Sequence, residues 1–129
     1  MSIKSLNPVA LGAFLSASGV ILGAFGTHGL RGKIGFDLLQ TYETANHYLI
    51  IHAAALILYG LWRLTLPENK RPINWPTLLF LVGIVIFCGS LYAITFTVIR
   101  EFGMITPVGG LAMIAAWIGF GLQAQSNRK

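Results

Sequence analysis

The sequence predicts an all-α fold: an integral membrane bundle of four transmembrane helices, with a short interfacial amphipathic helix between helices one and two. Of the 129 residues, 55% are hydrophobic and only 10% are charged, whereas a soluble domain carries about 25% charged residues. Four apolar stretches are each long enough to cross a bilayer as a helix. No polar tract or long linker separates them, so we expect residues 1–129 to form a single domain.

The first helix is expected within the stretch from Pro8 to Leu30, which contains no charged residue. Small residues recur along it at spacings of three and four, so they share one face of a helix. In lipid such a face allows close approach of a second backbone, because packing replaces the hydrophobic drive between helices. We expect this face to contact helix four or helix two, with self-association as the alternative, and a similar face on helix four. The packing residues are Gly12, Ser16, Gly19, Gly23, Gly26, Gly109, Ala112, Ala116 and Gly119.

The segment between helices one and two contains both glycine and charge. Residues 27–35 include three glycines, and they predict a loop. Residues 36–44 are amphipathic and too polar to span. We expect them to lie at the membrane interface or to form the projecting start of helix two, which spans residues 45–64.

Proline and capping residues mark the start of the last two helices. Asn74 is a candidate N-cap for helix three, which is expected over residues 76–98. After a short turn, Thr106 is the candidate cap of helix four, expected over residues 107–122.

The distribution of basic residues predicts the orientation, because Lys and Arg concentrate in cytoplasmic loops. Four spans place both termini on one side of the membrane. That side carries six of the nine Lys and Arg residues and the other side carries three, so we expect both termini in the cytoplasm. The six are Lys4, Arg63, Lys70, Arg71, Arg128 and Lys129, and the three are Arg31, Lys33 and Arg100.

Four motifs occur in order along the chain: GAFGTHGL at 23–30, TANHYLIIHAAAL at 44–56, GSLY at 89–92 and TPVGG at 106–110. In these motifs the sequence resembles the small inner-membrane proteins of the bacterial YgdD and YwdK type, related to eukaryotic transmembrane protein 256. The resemblance implies four helices in a bacterial plasma membrane and no established activity. The family pattern has a His, a Tyr and a His at three positions, and this chain matches them with His28, Tyr48 and His52. The family often has Gln after this Tyr, where the present chain has Leu49.

His52 is the most informative polar residue, because ionisable groups inside a span are costly and usually have a role. It lies about 10 Å inside helix two. We expect it to point into the bundle and to form a hydrogen bond to another helix, with Tyr92, Ser90 or an exposed carbonyl as partner. The alternatives are a proton relay or substrate contact, and a metal or haem ligand.

Glu43 and His47 are one helical turn apart and are therefore able to pair. Together with His28 they would offer zinc or copper three ligands, but the usual metal spacings are absent. A solvated pair at the interface is the expectation. The complete candidate polar site is His28, Glu43, His47, Tyr48, His52 and Tyr92.

The sequence contains no H-E-x-x-H, C-x-x-C, phosphate-binding loop or G-x-S-x-G motif. Its single cysteine, Cys88, is expected to act as a small apolar residue. We therefore expect no enzymatic activity, cofactor or metal, and no nucleic-acid partner, because no basic stripe with interleaved aromatic residues is present. The leading expectation is an accessory or structural membrane protein, with the lipid bilayer, itself or a larger membrane complex as partners. The rivals are a small transporter or channel with an outer-half polar site around His52, and a metal- or haem-binding membrane protein.

Overall fold

A computed structural model describes residues 6–128; Lys4 and Lys129, used above to predict the orientation, lie outside this range. Within it the chain forms four long helices joined by short connections, and each helix is long and apolar enough to span a membrane. The predicted all-α fold is therefore confirmed. The helices are α1 (Pro8–Phe25, continued by a π-helical turn, Gly26–Leu30), α2 (Phe36–Leu64), α3 (Trp75–Thr97) and α4 (Thr106–Ser126), with short 3₁₀ turns at Glu68–Lys70 and Arg100–Met104.

The predicted boundaries differ from the structure in two places before the third helix. The predicted loop over residues 27–35 is wrong in its first part, because Gly26–Leu30 extend α1 as a π-helix. Residues 36–44 are the beginning of α2, which is the second of the two predicted alternatives, and they do not form a separate interfacial helix. On their apolar face Tyr42 is buried and Leu39 is half-buried, whereas Phe36 at the start of the helix is exposed.

The helix caps also differ from the predicted ones. Asn7, which was not a predicted cap, caps α1 by accepting hydrogen bonds from the backbone of Val9 and Ala10. Thr106 is the first residue of α4 rather than its cap, and its hydroxyl lies 2.6 Å from the hydroxyl of Ser90 on α3. The helix therefore begins one residue earlier than predicted.

The small-residue face of α1 packs against α2, one of the two predicted helices, and the other predicted helix, helix four, does not cover it. Glycines on α1 meet successive turns of α2 in antiparallel order, because a Cβ on any of them would overlap an atom of α2. Ser16 on the same helix is half-buried. The pairs are Gly26 with Tyr42, Gly23 with Asn46, Gly19 with Ile50, and Gly12 with Ala53.

The small-residue face of α4 packs against α3. Gly109 lies directly on the backbone of Phe87, and Gly119 lies against the ring of Trp75. Ala116 is fully buried and Ala112 is half-buried. The bundle core lies mainly between α2, α3 and α4, and its buried members are Ala45, Leu49, Ala55, Leu56, Phe80, Ile84, Cys88, Met113 and Ala116.

Side-chain hydrogen bonds join the helices at the end of the bundle where α1 begins and α4 ends, which we call the terminal end. Asn74 Nδ2 donates to the carbonyl of Leu6 at 3.0 Å. Gln123 accepts from the Tyr59 hydroxyl at 2.8 Å and donates to the carbonyl of Ile73 at 3.0 Å. Helix α4 extends four residues past its predicted end at residue 122, and Gln123 is the first residue of this extension.

We predict that Gly12→Ala destabilises the bundle by about 1–3 kcal/mol, the usual range for overpacking. The added Cβ would lie 2.5 Å from the carbonyl oxygen of Ala53 and 3.0 Å from the amide nitrogen of Ile57, and backbone atoms cannot rotate away. Thermal unfolding in detergent measures the effect. The matched control is Gly121→Ala, since no atom lies within 4 Å of its added Cβ. Equal stability of the two variants would show that α1 does not approach α2 this closely.

Candidate functional site

A polar cleft opens between α1 and α2 at the end of the bundle opposite the terminal end. It has a volume of about 290 Å³. We call it the α1–α2 cleft, and it contains two members of the predicted polar site. Its lining residues are Gly23, Gly26, Thr27, Tyr42, Glu43, Asn46, His47 and Ile50.

The π-helical turn Gly26–Leu30 forms part of one wall of this cleft. It closes with a hydrogen bond from the amide of Arg31 to the carbonyl of Gly26, at 3.1 Å. Gly26 gives the ring of Tyr42 room, because a Cβ there would lie 2.7 Å from Tyr42 Cε1. Short π-helical turns are rare and frequently lie at functional sites.

Tyr42 anchors the floor of the cleft. Its hydroxyl donates to the carbonyl of Leu22 on α1 at 2.7 Å. Its buried ring makes edge-to-face contacts with Phe25, Tyr92 and Phe96, whose ring centroids lie 6.4, 5.1 and 6.0 Å away. Such pairs stabilise a core beyond their buried area. Tyr42 therefore joins α1, α2 and α3 beneath the cleft.

Asn46, one turn further along α2, links the cleft to α3. Its Oδ1 accepts a hydrogen bond from the Tyr92 hydroxyl at 3.2 Å. Its amide lies against Gly23, since a Cβ at that glycine would be 2.9 Å from Asn46 Nδ2. The side-chain amide of Asn46 thus contacts both α1 and α3.

Glu43, the acidic residue of the cleft, forms an ion pair with Arg31 at the rim. Glu43 Oε1 lies 3.4 Å from Arg31 Nη2, and both side chains are more than half exposed. An exposed pair of this kind contributes at most about 1 kcal/mol. Glu43 pairs with Arg31 rather than with His47, which was the predicted partner.

The structure does not assemble the hypothetical ligand set of His28, Glu43 and His47. His28 is exposed on the π-helical turn and does not line the cleft. Across residues 6–128, no group of three His, Cys, Asp or Glu side chains is close enough to hold a metal ion.

His52 points into the bundle, as predicted, and is only 6% exposed. The predicted hydrogen bond to another helix is wrong. Nδ1 lies 2.7 Å from the carbonyl of Tyr48, one turn earlier on the same helix. Because a carbonyl only accepts, Nδ1 must carry a proton.

Aromatic rings from three helices surround His52. The ring of Tyr48 stacks on it at 5.7 Å, and the rings of Phe80 and Trp117 lie 6.2 Å away. Tyr48 also contacts Phe87, with 4.5 Å between ring centroids. We call these five residues the aromatic cluster. None of them lines the α1–α2 cleft.

The predicted polar site is therefore divided. Glu43 and His47 lie in the cleft, whereas Tyr48 and His52 lie in the aromatic cluster. Tyr92 contacts residues of the cleft from α3, and His28 belongs to neither group. Sequence reasoning missed the residues Thr27, Arg31, Tyr42 and Asn46.

One sequence signal would have found two of the missed residues. Tyr42, Asn46 and Ile50 recur every four residues on α2, a spacing that complements the glycines of α1 read in reverse. The pattern would have placed both polar side chains against the small face of α1.

The chain also matches known proteins. Residues 22–110 match the family described as "Protein of unknown function (DUF423)". The UPF0382 membrane protein SH2409 of Staphylococcus haemolyticus is 41% identical over 110 residues, which cover 85% of this chain and 88% of that protein. The UPF0382 membrane protein YwdK of Bacillus subtilis is 40% identical over 112 residues, covering 85% and 89% of the two chains. No solved structure matches the chain.

We predict that Tyr42→Phe lowers the free energy of unfolding by about 1 kcal/mol, because the Leu22 carbonyl loses a partly buried hydrogen bond. The measurement is thermal or denaturant unfolding in detergent. Tyr48→Phe is the matched control, since the hydroxyl of Tyr48 makes no hydrogen bond within residues 6–128. A loss of equal size in the control would contradict the assigned role of the Tyr42 hydroxyl.

Proposed function

The chain belongs to the DUF423 family of unknown function, whose relatives are membrane proteins, and from this premise we propose that it is a non-enzymatic accessory or structural protein of the bacterial plasma membrane. It acts by association with lipid, with a second copy or with a larger membrane complex. The observation that carries the proposal is that polar side chains of the spanning helices form hydrogen bonds within the bundle.

Three polar groups in the spans support this proposal. His52 donates to its own helix and is enclosed by aromatic rings. Ser90 pairs with Thr106 across α3 and α4, and Thr95 donates to the carbonyl of Leu91 at 3.0 Å. In lipid an unpaired polar group is costly, so such bonds stabilise a closed bundle. A permeation path would instead need polar groups that face water.

The distribution of reactive side chains favours a role without catalysis. His52 lies in the aromatic cluster, Cys88 lies in the core, and Glu43 and His47 lie at the separate cleft. General acid–base and nucleophilic catalysis need such groups within hydrogen-bond reach of each other.

The outward face of α1 is the surface available for association. Phe14, Val20 and Ile21 are 75%, 68% and 69% exposed. The opposite face of α1 packs on α2, so these side chains meet either lipid or another protein.

A small transporter is the second candidate, and the α1–α2 cleft favours it. The cleft is polar and contains Glu43, Asn46 and His47. Transport would require a second state in which the cleft extends toward the membrane midplane.

Reconstitution in liposomes separates the two candidates. With a pH-sensitive dye inside, we expect proteoliposomes under a proton gradient to show the proton permeability of protein-free liposomes. His52→Gln is expected to fold and to leave the permeability unchanged, because its role is packing. A gradient-driven flux above that of protein-free liposomes would contradict the proposal, and its loss in His52→Gln would assign the flux to this imidazole, since an amide does not titrate.

Crosslinking in native membranes tests association directly. A photo-crosslinking residue at Val20 is expected to give a discrete product of higher mass, because this side chain faces outward from α1. The same residue at the buried position Ala53 is the control. A Val20 variant that yields only lipid adducts would contradict association with another protein through α1.

Cysteine labelling in intact cells tests the proposed orientation, with Cys88→Ala as background. The exposed loop residues Glu68 and Lys33 lie at opposite ends of the bundle. With both termini in the cytoplasm, a membrane-impermeant thiol reagent should label Lys33→Cys but not Glu68→Cys. The reverse pattern would invert the orientation.

A further inference from the structure

Two arginines line a pair of adjoining cavities at the terminal end of the bundle, far from the α1–α2 cleft. Arg63 lies in the last turn of α2 and Arg71 lies in the connection to α3. The cavities have volumes of about 360 and 470 Å³, and these two residues line both. We call the smaller one, which lies against the start of α1, the arginine cavity.

Arg63 is held in position but carries an unbalanced charge. Its Nη2 donates to the carbonyl of Pro72 at 2.9 Å, and its Cζ lies 5.8 Å from the ring centroid of Tyr59. Its buried Nε has no hydrogen-bond partner in the described chain. No carboxylate of residues 6–128 forms an ion pair with it. A partly buried cation without a counterion is unfavourable, so an anion near it would stabilise this arrangement.

Arg71 is positioned by one backbone contact that leaves most of its donors available. Its Nε donates to the carbonyl of Leu66 at 3.2 Å, and its Nη atoms bond to no residue between 6 and 128. Glu68 lines the larger cavity but not the arginine cavity. The arginine cavity therefore has two cationic side chains and no acidic one in its lining.

The other walls of the arginine cavity are mainly apolar. They include Pro8 and Val9 from α1 and Leu64 from α2. Trp62 and Trp75 lie at the same end of the bundle, where aromatic residues mark the level of lipid headgroups. A cationic pocket with an apolar wall at this level suits a molecule with a phosphate head and a hydrocarbon tail.

We propose that the arginine cavity binds the phosphate group of an acidic phospholipid, with Arg63 and Arg71 donating to its oxygens. Planar guanidinium groups match phosphate oxygens with parallel hydrogen bonds. Acidic lipid is favoured over zwitterionic lipid because no carboxylate in the lining would balance a choline or ethanolamine cation. The neighbouring apolar walls favour a lipid over free phosphate.

Lipid titration of the delipidated full-length protein in detergent, followed by native mass spectrometry, tests this site. Phosphatidylglycerol is expected to bind more tightly than phosphatidylcholine. Arg71→Gln should weaken phosphatidylglycerol binding about tenfold, because hydrogen bonds to a charged group are lost. Arg71 is exposed, so this variant is expected to fold. Arg71→Lys should recover part of the loss, since it keeps the charge without the planar fork.

Lys70→Gln is the matched control, because it removes the same charge from the neighbouring residue, which does not line the cavity. Its affinity for phosphatidylglycerol should stay close to that of the unmodified protein. Equal losses of affinity in Arg71→Gln and Lys70→Gln would show that binding depends only on the overall surface charge, and would overturn the proposal. Equal binding of phosphatidylcholine would also overturn it. Inorganic phosphate that binds as tightly as phosphatidylglycerol would assign the site to free phosphate instead of lipid.

Discussion

The close approach of α1 to α2 through glycine is the constraint on which the rest of the structure depends. Lipid is as apolar as the helix surfaces, so it supplies no hydrophobic drive for helices to associate. Contact must come from packing and from polar bonds between helices. Gly26 brings Tyr42 within reach of the Leu22 carbonyl, and Gly23 leaves room for Asn46 beside α1. The α1–α2 cleft therefore exists because these glycines have no side chains.

The two ends of the bundle differ in how charge is balanced. At the cleft, Glu43 has a basic partner in Arg31 and lies beside neutral polar groups. At the terminal end, Arg63 and Arg71 have no acidic partner among the described residues. Between the ends, polar groups such as His52 bond within the bundle. This arrangement fits a closed membrane protein whose two ends meet different surroundings.

The sequence predicted the four spans well, because a long apolar stretch permits few structures in lipid. Helix three begins at Trp75 and ends at Thr97, each one residue from its predicted boundary. The spacing of the glycines predicted a packing face, but it did not determine which helix covers that face. The π-helical turn was missed because its hydrogen-bond register is not encoded in periodicity. The predicted partner of His52 was wrong because an imidazole inside a helix can also bond to a carbonyl one turn earlier on the same helix, here that of Tyr48.

A double-mutant cycle at Gly19 and Ile50 tests the α1–α2 contact most directly. A Cβ at Gly19 would lie 2.6 Å from Ile50 Cγ1, so Ile50→Ala should make room for it. We expect Gly19→Ala to lower the unfolding temperature in the unmodified protein and to have little effect in the Ile50→Ala background. Residues in contact show such coupling, whereas distant residues have additive effects. Additive losses in the two backgrounds would contradict the packing of α1 on α2 through its glycines.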